Sequence, residues 1–154
     1  MPRLCLAVII VISTCPLRAD PPREKFTLNK EEQAVLDLTN KERKDAGLLP
    51  LKPSEKLFKA ARAHSANMAK QQKLAHTLDD KGPGDRLKDV GYAHRGWAEN
   101  CAMGQETPEQ VVKSWMESEG HKANILSQHA EIGIGVATAA DGTKYWTQVF
   151  ANPE

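Results

Sequence analysis

The chain has 154 residues, enough for one domain and little more. Apolar residues make up 40% and charged residues 27%, the balance of an ordinary soluble globule. The net charge is +1, and basic residues alternate with acidic ones along the chain. No patch can hold a phosphate backbone, so nucleic acid is excluded as the expected partner.

The first segment reads as an export leader over residues 1–19. Arg3 gives a basic start, Leu4 to Ile12 is an almost unbroken apolar run, and Leu17-Arg18-Ala19 ends on a small residue suited to cleavage. The run is shorter than the roughly 20 residues a membrane-spanning helix needs. Two other readings are a buried N-terminal strand or helix, and a lipoprotein signal ending at Cys15, for which Thr14 is a poor preceding residue. Loss of Arg3 and Arg18 leaves 19 basic against 20 acidic residues, a net charge of −1. Cleavage also removes Cys5 and Cys15 and leaves Cys101 with no partner in the chain. A buried apolar filler is its expected role, ahead of a nucleophile.

Residues 20–28 form a polar, proline-bearing linker, and the domain spans 29–154. Asn29 with Glu32 three residues later is a capping box that opens a first helix. Val35, Leu36, Leu38 and Thr39 form its buried stripe, and Gly47 stops it. Pro50 and Pro53 keep the next stretch extended. Ser54 opens a second helix with Leu57, Ala61, His64 and Met68 on one face, ending near Lys73. Asp85 to Val90 is a short helix stopped by Gly91, and Trp97 to Met103 is a strand or an irregular segment beside one. Thr107, Pro108 and Gln110 combine an N-cap, a first-position proline and a capping-box partner. Val111, Val112, Trp115 and Met116 form that helix's buried face, and Gly120 ends it. Ile132, Ile134 and Val136 alternate with glycines, and Asp141-Gly142 turns the chain into a second strand over Tyr145 to Phe150. The order predicts an α+β domain, a sheet covered by helices.

Five histidines are the first places to look for chemistry. His64 lies on an apolar helix face and reads as a satisfied core residue. His94 reads as exposed in a polar loop, and His129 has no evident partner. His76 and His121 each follow a helix end, where a side chain can project into a groove. Glu99 sits in an apolar-flanked segment where a solvated acid is unexpected. Two imidazoles and a carboxylate suit zinc or another divalent cation, and equally suit general acid–base chemistry. No HExxH, paired CxxC or Gly-x-Ser-x-Gly motif is present, and spacing alone does not bring the three together.

The ordered motifs carry more. Asn40-Lys41-Glu42-Arg43, Ala63-His64-Ser65-Ala66-Asn67-Met68, Leu74-Ala75-His76-Thr77, Asp85-Arg86-Leu87, Ala98-Glu99-Asn100, Glu119-Gly120-His121-Lys122-Ala123-Asn124-Ile125-Leu126, Glu131-Ile132-Gly133-Ile134-Gly135-Val136 and Tyr145-Trp146-Thr147-Gln148-Val149-Phe150 follow one another along the chain. The pattern closely resembles the bacterial branch of the CAP superfamily, the SCP-like extracellular domain, from about Asn29 to Asn152. The resemblance implies a three-layer α-β-α sandwich with a mainly antiparallel central sheet. It also implies a surface cleft of two histidines and two acids that binds divalent metal in some members. His76, Glu99 and His121 match three of the four. The fourth position, three residues after the helix tryptophan, is Ser118. Glu117 and Glu119 flank it, about 100° to either side on a helix, as substitutes for the missing acid. The disulfides of animal members are absent.

On this reading the protein is an exported, monomeric binding or interaction module, and the cleft takes a divalent metal or a lipid, peptide or envelope component. The alternative is a zinc-dependent hydrolase of peptidase type. There His76 and His121 hold the metal, and Glu99 is a third ligand or the base for a bound water. Ser118 is a weak nucleophile, since no oxyanion donors accompany it. An envelope role with an idle cleft is the third reading, because a fold does not specify one function.

Overall fold

The computed structural model describes residues 26–154. The predicted leader, with Cys5, Cys15 and the expected cleavage after Ala19, lies outside the described residues, as does most of the predicted linker. Phe26 and Leu28, at the linker's end, pack against the core. Phe26 meets Phe58 edge-on with ring centroids 5.4 Å apart.

Helix α1, Lys30–Asp45, opens with the predicted capping box. The Glu32 backbone N–H donates to Asn29 Oδ1 at 2.8 Å, and the Asn29 backbone N–H donates to Glu32 Oε2 at 2.9 Å. Its buried face carries Val35, Leu36 and Thr39. Gly47, at φ +77°, turns the chain away in the left-handed region that glycine adopts without strain. The following extended segment contains a two-residue strand that the prolines concealed, β1, Lys52–Pro53. Helix α2 spans Glu55–Gln71 and α3 spans Pro83–Asp89. Strand β2, His94–Met103, starts three residues earlier than Trp97, so His94 opens a strand and is half-buried instead of lying exposed in a loop.

Helix α4, Pro108–Met116, begins as predicted, with the Gln110 N–H donating to Thr107 Oγ1 at 3.3 Å. It does not continue to Gly120. The chain breaks at Glu117 and Ser118 and resumes as α5, Glu119–Ile125, so Gly120 and His121 lie inside a separate helix. Strands β3, Glu131–Thr138, and β4, Lys144–Pro153, complete the predicted hairpin.

Among the described residues the sheet has four strands in the order β1-β3-β4-β2. β1 runs parallel to β3, and the other pairings are antiparallel. α2 lies across β3 and β4 with α3 beside it, and α1, α4 and α5 cover the opposite face. This is the three-layer α-β-α sandwich that the motif pattern implied. The alternation along β3 explains the asymmetry. Ile132 and Ile134 point into the core under α1 and α4, whereas Gly133 and Gly135 point at α2. A Cβ at Gly133 would stand 2.0 Å from the Leu57 carbonyl carbon, and one at Gly135 would stand 2.4 Å from that of Ala61. The helix backbone thus rests directly on the strand.

Polar groups tie the loops to this frame. The Arg43 guanidinium, almost wholly buried, donates to the carbonyls of Leu49, Ile125 and Ser127 at 2.7–2.9 Å. Glu32, also buried, takes a two-point ion pair from Arg62 at 2.6 Å on each oxygen.

Candidate functional site

β2 is an edge strand, and its period-2 alternation builds the site. Trp97, Glu99 and Cys101 point toward the α2–α3 side, with Cys101 in the cluster that holds Met68 and Leu78. Ala98, Asn100 and Ala102 point toward α5 and α4. Loop residue His76 and helix residue Arg86 approach from the first side. His121 and Asn124, on α5, approach from the second.

Glu99 is the centre. Its side chain is 1% exposed, and both oxygens are engaged. Oε1 accepts from His76 Nδ1 at 2.9 Å, and Oε2 accepts from Arg86 Nη2 at 2.6 Å. Arg86 also donates through Nη1 to the carbonyls of His76 and Lys81 at 2.9 and 3.0 Å, which fixes the loop that carries the histidine. The His76 side chain is 56% exposed, so the buried acid orients a ring that faces solvent. Asn124 Nδ2 donates to the Glu99 carbonyl at 3.2 Å and to Asn100 Oδ1 at 2.8 Å. Asn100 Nδ2 in turn reaches the His121 carbonyl at 3.1 Å, so β2 and α5 are stitched together through two amides.

These contacts set the charges. Burial pushes Glu99 up, but the hydrogen bond from His76 and the charge of Arg86 outweigh it and hold the carboxyl below its ordinary value. The bond to Glu99 raises His76. Burial, and then the charge of His76, lowers His121. The two imidazoles are thus pushed apart, His76 toward the charged form and His121 toward the neutral one.

His76, Pro83, Trp97, Ala98, Glu99 and Asn124 line an open pocket of about 390 Å³. Trp97 is 41% exposed there.

The structure brings His76 and Glu99 into direct contact. His121 lies half-buried on the far side of the β2 edge, and among the described residues no hydrogen bond joins its ring to either. It does not project from a helix end as expected but sits in the first turns of α5. Ser118 occupies the N-cap position of α5 without a side-chain capping bond. Glu117 is exposed and lies 3.8 Å from Lys113, and Glu119 is exposed in the first turn of α5. Neither acid hydrogen-bonds to His76, Glu99 or His121. His64 is buried as expected but is not fully satisfied. Nε2 lies 2.8 Å from the Ala75 carbonyl and 3.9 Å from Glu99 Oε1, while Nδ1 has no partner among the described residues. His129, read as partnerless, sits 2.5 Å from Ser127 Oγ and stacks over Phe150.

Sequence reasoning missed Arg86 as the counter-charge. Cys101 is buried in an apolar cluster, as the filler reading expects, and its thiol also lies 3.5 Å from Glu99 Oε1 and 3.7 Å from His76 Nδ1. One ligand atom each of His64, Glu99 and Cys101 falls within 4.8 Å of the others. The i, i+2 spacing of Glu99 and Cys101 on a strand was the available signal, because it places both on one face.

An α-β-α sandwich with a histidine–carboxylate cleft on its edge strand is the frame of the chain, and comparison with known proteins identifies the family. The model of the CAP, or cysteine-rich secretory protein, family matches residues 36–150, and the chain belongs to that family. It is 43% identical over 121 residues to the uncharacterized protein YkwD of Bacillus subtilis, across 77% of this chain and 46% of that one. It is 31% identical over 134 residues to the uncharacterized membrane protein YlbC of the same organism, across 86% and 37%. The chain thus spans less than half the length of these relatives. Among solved structures, an SCP-domain extracellular protein of Bacillus anthracis superposes with a TM-score of 0.72 at 28% identity, over 79% of this chain and 40% of that one. An outer surface protein of Borrelia burgdorferi superposes with a TM-score of 0.77 over 85% and 98%, at 20% identity, a likeness of fold alone. No helix among the described residues is long and apolar enough to cross a membrane.

Proposed function

We propose that this CAP domain is an exported binding module whose edge-strand cleft presents His76 and His121 to a divalent cation, with the open pocket receiving an extracellular ligand beside it. The observation that carries the reading is the doubly held Glu99. A buried carboxylate on one ring nitrogen is the usual support behind a metal-ligating histidine, because it fixes the tautomer and the ring plane. With Nδ1–H donated to Glu99, Nε2 of His76 is the nitrogen left to face an ion, which would bind in place of the proton that the raised pKa favours there. The lowered His121 is a neutral imidazole at physiological pH, the form that ligates. The residues therefore fit a zinc-like ion chemically, and such an ion would supply a Lewis-acidic anchor for a carboxylate or phosphate on the ligand.

The same geometry favours binding over hydrolysis. Glu99 is paired with Arg86 and held below its ordinary pKa, so it is a weak proton acceptor and a poor base for water. Among the described residues no hydrogen bond joins the Ser118 hydroxyl to a base. Export rests on the Arg3-to-Ala19 pattern and on the extracellular and surface relatives.

The test is calorimetric titration with zinc. Wild-type protein is expected to bind it, and His76→Ala and His121→Ala are each expected to lower affinity by about tenfold or more. Equal heats from all three proteins would overturn the reading.

A further inference from the structure

We propose that the ligand of the open pocket is a glycan, and that Trp97 is the surface on which one of its pyranose rings stacks. The proposal rests on the reading of that pocket as a ligand site and names the chemical class it takes. It asks nothing of the cation. Trp97 is 41% exposed, whereas Trp115 and Trp146 are 1% and 0% exposed. Its indole thus forgoes much of the burial that large aromatic rings usually contribute to a core. The ring is nonetheless seated along one edge. A Cβ added at Gly84 would stand 3.5 Å from Trp97 Nε1 and 3.8 Å from Cε2, so the indole rests on the start of α3. A ring held in this way presents its exposed surface in a fixed place, which lowers the ordering cost of stacking on it.

The surroundings mix apolar faces with open polar atoms. Beside Pro83, Trp97 and Ala98 stands Asn124, whose amide hydrogens go to the Glu99 carbonyl and to Asn100 Oδ1. Its own Oδ1 accepts no hydrogen bond among the described residues and is left for a hydroxyl. A second hollow, of about 510 Å³, begins at Gly84 and carries Lys88, His94 and Glu154 on its walls. Pro83 lines one hollow and Gly84 the other, so the indole stands where the two meet. That leaves room for more than one ring of a linear chain. Other ligand classes fit this surface less well. A lipid chain binds by burying its methylenes, and an open pocket with three apolar residues buries few. A peptide is read largely through main-chain bonds, and the carbonyls of His76 and Glu99 are already taken by Arg86 and Asn124. A pyranose needs neither. Its C–H face carries the partial positive charge that an electron-rich indole face attracts, and its hydroxyls both donate and accept.

The experiment uses the purified protein in EDTA, so that no cation takes part. Acrylamide quenching reads Trp97 directly in the wild-type protein, because the other two indoles are buried. The probes are chitotetraose, cellotetraose, maltotetraose and muramidase-digested peptidoglycan. At least one is expected to shield Trp97 from acrylamide in a saturable way. By calorimetry, Trp97→Leu should bind that probe about tenfold or more weakly and Trp97→Tyr within about threefold, since leucine keeps apolar bulk but offers no π face. Equal binding by Trp97→Leu and wild-type protein would overturn the stacking role. Shielding by none of the sugars, but by a tryptic digest of casein or by a monomeric lysophospholipid, would overturn the glycan and keep the pocket as a ligand site. Silence from every probe would overturn both, and the zinc titration stands apart from either result.

Discussion

Glu99 is a charge that the fold can hold only because two partners meet it. Its burial alone would favour the neutral acid, and Arg86 with His76 reverses that preference. Removing the cation should therefore cost more than a surface ion pair would, since it strands a carboxylate in a buried layer. Arg86→Met is expected to lose about 3 kcal/mol of stability in urea denaturation, and Arg86→Met with Glu99→Gln should recover part of the loss. A loss below about 1 kcal/mol, the range of exposed pairs, would show that solvent reaches the site. The pH dependence follows from the same contacts. A carboxyl held below its ordinary value of 4.5 contributes stability that is fully present above that pH and lost as pH falls through the lowered value. His76, raised above 6.5, contributes below that pH and loses its contribution as pH rises through the raised value. The pair is thus strongest between the two, and Glu99→Gln should flatten the acid limb of a thermal-unfolding profile below about pH 4.5.

At the scale of elements, the contact between α2 and β3 is the least forgiving. Gly133→Ala and Gly135→Ala each place a methyl group within 2.0–2.4 Å of α2 backbone. Helix backbone cannot step aside as a flexible side chain can, so each change is expected to cost about 3 kcal/mol or more, measured by urea denaturation. An N-cap is milder. Thr107→Ala, which frees the Gln110 N–H, should cost about 1 kcal/mol.

The helix starts and the hairpin were legible in the sequence because capping boxes and period-2 alternation are local signals. Asn29-to-Glu32 forms the full capping box, whereas at Thr107 only the hydroxyl half forms and Gln110 Oε1 accepts from the Glu106 N–H at 2.8 Å instead. The break between α4 and α5 was not legible. Gly120 looked like a stop, yet the chain pauses earlier, at Glu117 and Ser118, and the glycine is accommodated inside the next helix. β1 escaped notice because a two-residue parallel pairing to β3 leaves no periodicity. In the site, the motifs pointed to His76, Glu99 and His121, but only tertiary contact could reveal that Arg86 and Cys101 share the same carboxylate. Long-range partners of a buried charge leave no trace in spacing.

For the molecule as a whole, the cleft straddles two layers. His76 and Arg86 belong to the side of α2 and α3, and His121 and Asn124 belong to α5 on the opposite side. An ion bound across the β2 edge would cross-link those layers and stabilise the whole domain by mass action. Saturating zinc is thus expected to raise the melting temperature, and chelation with EDTA should reverse it; an unchanged transition would argue that no ion bridges the layers. At the other end of the chain, mass spectrometry of the protein recovered from an exporting host should find Asp20 as the first residue, and an intact Met1 would exclude the leader.

The position of β2 has one more consequence. An exposed edge strand invites other chains to add to it, and proteins defend such edges by blocking or charging them. Here the defence and the cleft share residues. The Asn124 amide sits on the Glu99 carbonyl, and Trp115 Nε1 lies 3.5 Å from that of Cys101, so two outward backbone acceptors in the middle of the strand are already taken. Asn124→Ala would open the edge and loosen the floor of the cleft in one step. Its first symptom at high concentration should be self-association, visible by light scattering before any loss of fold. Purging variants that aggregate would therefore preserve the cleft's geometry even in a lineage that no longer used it.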